Sequence, residues 1–182
     1  MEIQETGLEG CVVIKPRIFE DSRGYFFESF NQRTFEEKTG ASGNFIQDNQ
    51  SFSSYGVIRA LHAQKGEFAQ AKLVRVLSGE VLDVAVDARK GSPTYGKYFS
   101  IRLSAENKLQ LYIPRGFLHG FAVLSETATF SYKVDNYYNK DSEQGVMYND
   151  ATLNIDWMIP ETHHLISDKD QVLDSFSSLS NE

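Results

Sequence analysis

The chain has 182 residues, a formal net charge of −7, 41% hydrophobic residues and one cysteine. This length suits a single domain with a sizeable core, and the acidic balance argues against general nucleic-acid affinity. One cysteine excludes an internal disulfide and a cysteine-based zinc site. No apolar run approaches the ~20 residues of a membrane helix, and the polar start MEIQETGLEG predicts no signal peptide. We therefore expect a soluble, cytoplasmic protein without nucleic-acid or membrane partners.

Short strand-like segments follow one another along most of the chain. They are rich in apolar and β-prone residues, and turn signals such as SRG, SGE, KGSPTYG and AENK separate them. The segments are 11–16, 24–30, 44–52, 56–64, 71–88 (interrupted at SGE), 97–104, 109–114 and 119–138. Many short strands with little helix predict an all-β sandwich or barrel. We expect one domain over residues 1–182, with a polar tail from about 175.

Helices are predicted in only two places. The first, QRTFEEKTG, has Asn31 before it as an N-cap and stops at Gly40. The second, DKDQVLDSF, follows Ser167. Both are short, so we expect them at the periphery of a β-domain.

The segment GVIRALHAQ combines the pattern of a buried strand with two polar residues, Arg59 and His62. A cation and an imidazole are costly in a sheet interior unless something pairs with them. Strict alternation places these two residues, three positions apart, on opposite faces of the strand. A bulge, a strand end or a partner subunit is therefore needed if both reach one ligand.

Two patterns resemble the motifs of the cupin jelly roll. GVIRALHAQ with the following SGE resembles the first motif, and YIPRGFLHGF, with its P-x-G-x-x-H spacing, resembles the second. Metal-binding cupins offer H-x-H and a glutamate in the first motif, whereas Gln64 replaces the second histidine here and Lys72 follows downstream. The two remaining histidines, His62 and His119, are too few for a divalent metal. We expect a cupin jelly roll without a metal ion.

Over nearly its whole length the sequence resembles the dTDP-4-dehydrorhamnose 3,5-epimerases. The resemblance depends on the order and spacing of FEDSRGYFFES (19–29), QDNQSFS (47–53), VIRALH (57–62), GEVLDVAVDARKGSPTYG (79–96), LSAENKLQLYIPRGFLHGF (103–121), YKVDNYY (132–138) and SDKD (167–170). The chain departs from the family pattern at Ala60, Ala63 and Leu118, where we expect changes of pocket volume rather than of proton chemistry. The resemblance implies conversion of dTDP-4-dehydro-6-deoxy-D-glucose to dTDP-4-dehydro-L-rhamnose, with no cofactor.

Each inversion removes a proton beside the 4-keto group and returns one on the opposite face. This chemistry requires a base, an acid across the ring and a group that stabilises the enolate. The resemblance implies His62 as the base, Asp170 as its orienting carboxylate and Tyr132 as the acid. Lys72 lies on an otherwise apolar strand face, where a buried anion would offset its cost, so we assign it to the 4-keto oxygen. The structural alternatives are a histidine and a tyrosine of the core and a lysine at a barrel rim.

The resemblance also implies the substrate contacts. Tyr138 corresponds to the ring that stacks on thymine, and it would lie roughly 20 Å from Tyr132 if their strand stayed straight. Arg59 offers fork-shaped donors suited to phosphate or carbonyl oxygen. The implied substrate-binding residues are Arg23, Glu28, Gln47, Asn49, Arg59, Lys72, His119, Tyr138, Glu143 and Lys169.

Other functions stay open at this level. The missing ligands argue against a metal-dependent cupin oxygenase, and the presence of base, acid and lysine argues against a non-catalytic sugar-nucleotide sensor. The closest alternative is a single-centre epimerase or a ketoisomerase acting on a related nucleotide-linked 4-keto-6-deoxy sugar.

The resemblance further implies a homodimer in which N-terminal strands cross to the partner's sheet. Segments 11–16 and 24–30 are apolar enough for this, and an unpaired strand of that kind would promote aggregation. Arg23 and Glu28 would then serve the neighbouring subunit's site.

Overall fold

The structure is a computed structural model that describes residues 1–179. The strands are β1 (Glu2–Glu5), β2 (Val12–Lys15), β3 (Phe19–Asp21), β4 (Gly24–Phe26), β5 (Gln47–Ser54), β6 (Val57–Gln64), β7 (Lys72–Ser78), β8 (Glu80–Asp87), β9 (Tyr98–Ser104), β10 (Gln110–Ile113), β11 (Phe117–Val123), β12 (Thr127–Val134), β13 (Glu143–Gly145) and β14 (Leu165–Ile166). The α-helix α1 spans Gln32–Thr39. Short 3-10 turns cover Gly66–Phe68, Lys140–Ser142, Glu161–His163, Asp170–Val172 and Phe176–Ser178.

Two six-stranded sheets form the body of the domain. The first has the order β1-β2-β10-β7-β12-β5, and the second has the order β13-β6-β11-β8-β9 with β14 alongside β6. Apolar side chains from both sheets, among them Val74, Leu111, Val81 and Phe121, share one core cluster, so the sheets pack face to face. This arrangement confirms the predicted all-β cupin jelly roll.

The outer faces of both sheets are covered, which explains why several strands are apolar on both sides. In β8, Val81 and Ala85 face the other sheet, whereas Leu82, Val84 and Val86 pack against the C-terminal segment. A strand buried on both faces has a continuous apolar run instead of a strict alternation.

Helix α1 matches its prediction. Asn31 caps it by accepting a hydrogen bond from the backbone of Thr34, and Gly40 ends it with a φ of 70°, a left-handed conformation that glycine adopts without steric cost. Phe35 packs the helix against the outer face of the first sheet. Within residues 1–179, no helix is long and apolar enough to cross a membrane.

The predicted second helix is wrong. DKDQVLDSF forms only the 3-10 turns Asp170–Val172 and Phe176–Ser178, because Asp170 turns inward while Phe176 packs on the outer face of the second sheet. The predicted tail begins at about 175, yet Phe176 and Leu179 are buried. Residues 180–182 of that tail lie outside the described residues.

The N-terminal strands form two separate pairings within the chain. Strand β2 pairs with β1 and with β10 of its own chain, and the exchange of segment 11–16 with a partner subunit stays a prediction. Segment 24–30 contributes only β4, which forms a two-stranded ribbon with β3 that belongs to neither large sheet. Strands β1, β3, β13 and β14 were not predicted, because strands of two to four residues with polar or exposed side chains carry little periodicity.

Candidate active site

A cavity of about 450 Å³ opens where β5, β6, β7, β11 and β12 meet. It adjoins a wider groove of about 1050 Å³, and Arg59, His62, Tyr132 and Glu143 line both spaces. The full lining of the cavity is Gln47, Asn49, Gln50, Ser51, Arg59, His62, Ala63, Gln64, Gln70, Lys72, His119, Phe121, Phe130, Tyr132, Tyr138 and Glu143. Each of the four residues proposed for proton chemistry lines at least one of the two spaces; they are His62, Asp170, Tyr132 and Lys72.

A bulge in β6 explains how Arg59 and His62 reach the same cavity. In the pairing with β11, His119 lies opposite His62 and Phe121 lies opposite Arg59. Two steps along β11 therefore match three steps along β6. The extra residue reverses the alternation between the two polar side chains, so both face the cavity. This resolves the conflict that the spacing of Arg59 and His62 raised.

His62 and Asp170 form a hydrogen-bonded pair, with 2.8 Å between Nε2 and Oδ1. Asp170 is only 4% exposed. Burial raises the pKa of its carboxyl, but the hydrogen bonds from His62 and Ser167 and the His62 charge outweigh burial and leave that pKa lowered. An ionised carboxylate only accepts hydrogen bonds, so Nε2 carries the shared proton. The Nδ1 atom is therefore the position at which this imidazole accepts a proton.

A second histidine–carboxylate pair lies deeper in the fold. His119 Nε2 is 3.0 Å from Asp83 Oδ2, and both side chains are buried. Burial lowers the pKa of His119, although Asp83 acts in the opposite direction. The other carboxylate oxygen, Asp83 Oδ1, has no hydrogen-bond partner within residues 1–179. Sequence reasoning missed Asp83, although an acidic residue inside the apolar segment EVLDVAVD is a signal of a polar site.

Lys72, like Arg59, brings a cationic side chain to the cavity. It lies on the same face of β7 as the core residues Val74 and Val76. Its ammonium makes no hydrogen bond or salt bridge within the part of the chain that the structure describes. Burial lowers the pKa of Lys72 to about 8, although the charges of Asp83 and Glu143 act in the opposite direction. The side chain therefore keeps a free ammonium available for a ligand oxygen.

Tyr132 lines the cavity from β12, where it lies beside Asn49 of β5. Burial raises the pKa of its phenol, although the Arg59 charge acts in the opposite direction. The phenol consequently keeps its proton at neutral pH, as a proton donor requires.

Tyr138 does not continue the strand of Tyr132. Strand β12 ends at Val134, and the Asp135 carboxylate then accepts a hydrogen bond of 2.7 Å from the backbone of Ala71. The expectation of a straight strand between the two rings is therefore wrong. Tyr138 stands in the following loop, 57% exposed, and its hydroxyl donates a hydrogen bond of 2.9 Å to Glu143.

Charged and amide side chains complete the rim. Lys169 donates a hydrogen bond of 2.5 Å to Glu143, and Gln47 donates one of 2.8 Å to Asn49. Burial raises the pKa of Glu143, but the hydrogen bonds from Lys169 and Tyr138 outweigh it and lower that pKa. The guanidinium of Arg59 is held by the Ser53 hydroxyl at 3.2 and 3.3 Å.

Arg23 and Glu28 do not join this site in the single chain. The Arg23 side chain is 88% exposed at the tip of the β3–β4 ribbon and is paired with Asp21 at 2.6 Å. Glu28 accepts a hydrogen bond from Asn31, next to α1. Neither residue lines the cavity or the wider groove.

The departures from the family pattern fall in two environments. Ala63 lines the cavity, where the size of a side chain affects the pocket volume. Ala60 and Leu118 are 0% exposed in the cluster on the outer face of the second sheet, which corrects the expectation that they line the pocket. No group of three or more His, Cys, Asp or Glu side chains that could hold a metal ion occurs within residues 1–179.

Comparisons with known proteins point to one family. The sequence model of the dTDP-4-dehydrorhamnose 3,5-epimerases matches residues 5–178. An epimerase of that name from Shigella flexneri is 51% identical over 93% of this chain and 93% of its own length. The crystal structure of such an enzyme from Elizabethkingia anophelis has a TM-score of 0.95 and 59% identity, covering 97% of each chain. The 3,5-epimerase from Legionella pneumophila, in complex with dTDP-4-keto-L-rhamnose, has a TM-score of 0.94 and 45% identity, covering 98% of this chain and 94% of that one.

Proposed function

The chain belongs to the dTDP-4-dehydrorhamnose 3,5-epimerase family, and on that premise we propose how its residues invert a dTDP-linked sugar. The protein is an enzyme that inverts C3 and C5 of dTDP-4-dehydro-6-deoxy-D-glucose to give dTDP-4-dehydro-L-rhamnose. The main observation behind these roles is the hydrogen-bonded His62–Asp170 pair. His62 lines the same groove and cavity as Tyr132.

His62 is the base in this mechanism. Asp170 fixes the imidazole with the proton on Nε2, so Nδ1 removes the proton from the carbon next to the carbonyl. The ionised Asp170 then stabilises the imidazolium that forms. Negative charge develops on the 4-keto oxygen as an enolate forms, and the free Lys72 ammonium stabilises that charge. Tyr132, which keeps its phenolic proton, returns a proton on the opposite face of the ring.

The rim residues bind the rest of the substrate. Tyr138 offers an exposed ring on which a thymine base can stack, and its hydroxyl is fixed by Glu143. Arg59 and Lys169 supply positive charge for the diphosphate, and Gln47, Asn49 and His119 supply hydrogen-bonding groups in the cavity.

Deuterium incorporation tests this proposal. The enzyme is incubated with dTDP-4-dehydro-6-deoxyglucose in deuterated water, and the sugar is followed by NMR. Label at both C3 and C5, with inverted stereochemistry, is the expected result. Label at only one carbon would instead identify a single-centre epimerase, and conversion to a 3-keto sugar would identify a ketoisomerase.

We propose in addition that the enzyme is a homodimer and that the β3–β4 ribbon reaches the partner's site. The ribbon belongs to neither large sheet, and Phe19, Tyr25 and Phe26 on it are 49%, 58% and 67% exposed. A ribbon of this kind gains stability when a second copy covers its aromatic side chains. Arg23 at its tip then adds a cation to the neighbouring site.

Light scattering and subunit complementation test the dimer. An active monomer at micromolar concentration would refute it. His62→Asn and Arg23→Ala are each expected to be impaired, but a refolded mixture should regain activity. In a mixed dimer one site receives a wild-type base from one chain and a wild-type Arg23 from the other. No recovery would mean that Arg23 serves its own chain.

The cytoplasmic location expected from the sequence stays a prediction.

A further inference from the structure

Gln64 is a buried amide in the cavity wall whose hydrogen bonds all go to backbone groups. Its Nε2 donates to the carbonyl oxygens of Tyr137 at 3.1 Å and Phe68 at 3.3 Å. Its Oε1 accepts from the backbone N–H of Asn139 at 2.7 Å. The side chain is 7% exposed, so it is fully committed to these contacts.

Two of these three bonds bracket Tyr138. The Tyr137 carbonyl precedes that residue and the Asn139 N–H follows it, so one side chain fixes the backbone on both sides of the ring. The ring itself is exposed and has no aromatic neighbour in contact within residues 1–179. The orientation of Tyr138 therefore depends on its backbone and on the single hydrogen bond from its hydroxyl to Glu143.

The hydrogen bonds of Gln64 also fix the position of Glu143 indirectly. Asn139, held by Gln64, caps the turn Lys140–Ser142 by accepting hydrogen bonds from the backbone of Asp141 and Ser142. That turn leads directly into β13, whose first residue is Glu143. Gln64 thus sets the relative position of both residues that form the Tyr138–Glu143 hydrogen bond.

We propose that Gln64 is a positioning residue for recognition of the nucleobase, acting through Tyr138. The inference rests on the proposed function, in which Tyr138 stacks on the base. Gln64 takes the place of the second histidine of the cupin H-x-H pattern, and its amide organises a ligand-binding loop instead of a metal. Loss of the amide leaves the chemistry at the sugar intact and releases the ring from its stacking position.

Binding of dTDP and of inorganic pyrophosphate, measured by calorimetry, separates this role from a general structural one. Gln64→Leu removes all three bonds at similar volume. We expect its Kd for dTDP to rise about tenfold, whereas its Kd for pyrophosphate, which has no base, changes by less than about twofold. With the sugar substrate, KM rises by a similar factor and kcat stays within about twofold, because the lost binding is uniform.

Asn107→Leu is the matched control. Asn107 also makes three hydrogen bonds to backbone groups, those of Arg102, Ser104 and Leu109, in the turn between β9 and β10. It lines neither the cavity nor the groove. We expect its affinities for both probes to match those of the wild type. Gln64→Met, closer in shape, replaces Gln64→Leu if the latter does not fold.

A double-mutant cycle completes the test. In a Tyr138→Ala background, Gln64→Leu should raise the Kd for dTDP by less than about twofold further, because the ring it positions is gone. Additive losses, equal weakening of both probes, or no weakening would each overturn the inference. Failure of the wild-type enzyme to bind dTDP would instead overturn the proposed function.

Discussion

The free ammonium of Lys72 predicts an alkaline limit to catalysis. Burial lowers its pKa to about 8, whereas its proposed role requires the charged form. In the free enzyme, kcat/KM should therefore fall above about pH 8, by about tenfold for each further pH unit. At pH 9.5 the loss should reach roughly thirtyfold. Because a bound diphosphate favours the ammonium, the alkaline limb of the kcat profile, meaning its fall with rising pH, should lie at higher pH than that of kcat/KM.

The assay is the initial rate of deuterium entry at C3 and C5, measured by NMR between pH 6 and pH 10. Lys72→Arg is the matched control, since a guanidinium keeps its charge throughout this range. Its rate should be lower, but the limb near pH 8 should vanish. Tyr132 does not produce the same limb, because burial raises its phenolic pKa above the ordinary value of 10.

Two results would refute this reasoning. A wild-type kcat/KM that stays level to pH 9.5 would mean that the lysine remains charged or that its charge is not needed. A limb near pH 8 that persists in Lys72→Arg would assign the titration to another group.

The remaining predictions concern proton transfer and stability. Tyr132→Phe should retain exchange of solvent deuterium within about tenfold while net inversion falls about 10²-fold; equal losses in both, measured by NMR, would make Tyr132 a positioning group. Asp170→Asn should slow exchange and inversion alike, by at least about 10²-fold, with the calorimetric Kd for dTDP unchanged; wild-type rates would mean that another group orients His62. Lys72→Met should raise the free energy of unfolding at pH 7 by up to about 3 kcal/mol, because folding lowers the lysine pKa from 10.5 to about 8. This gain is complete below pH 8 and disappears as the pH approaches 10.5, so urea titrations that show the same gain at both extremes would contradict it.

The sequence by itself was sufficient for the fold class and for most of the predicted residues that line the cavity or the groove. Short apolar segments between turn residues determine strands locally, and the order of motifs around His62, Lys72 and His119 identifies the cupin jelly roll. Asn31 and Gly40 predict the bounds of α1 because capping depends on neighbouring backbone groups alone. All of these signals act over a few residues.

Only the tertiary structure decided which side chains face the same space. The bulge in β6 exists because Arg59 and His62 pair with Phe121 and His119 of β11 in a shifted register, and alternation within β6 cannot reveal a register set by another strand. Asp170 does not lie in the expected helix, because its carboxylate is hydrogen-bonded to His62, 108 residues away in the sequence. Contacts between residues so far apart in the sequence satisfy buried polar groups even where the local segment would prefer a helix. No local sequence pattern could therefore have predicted them.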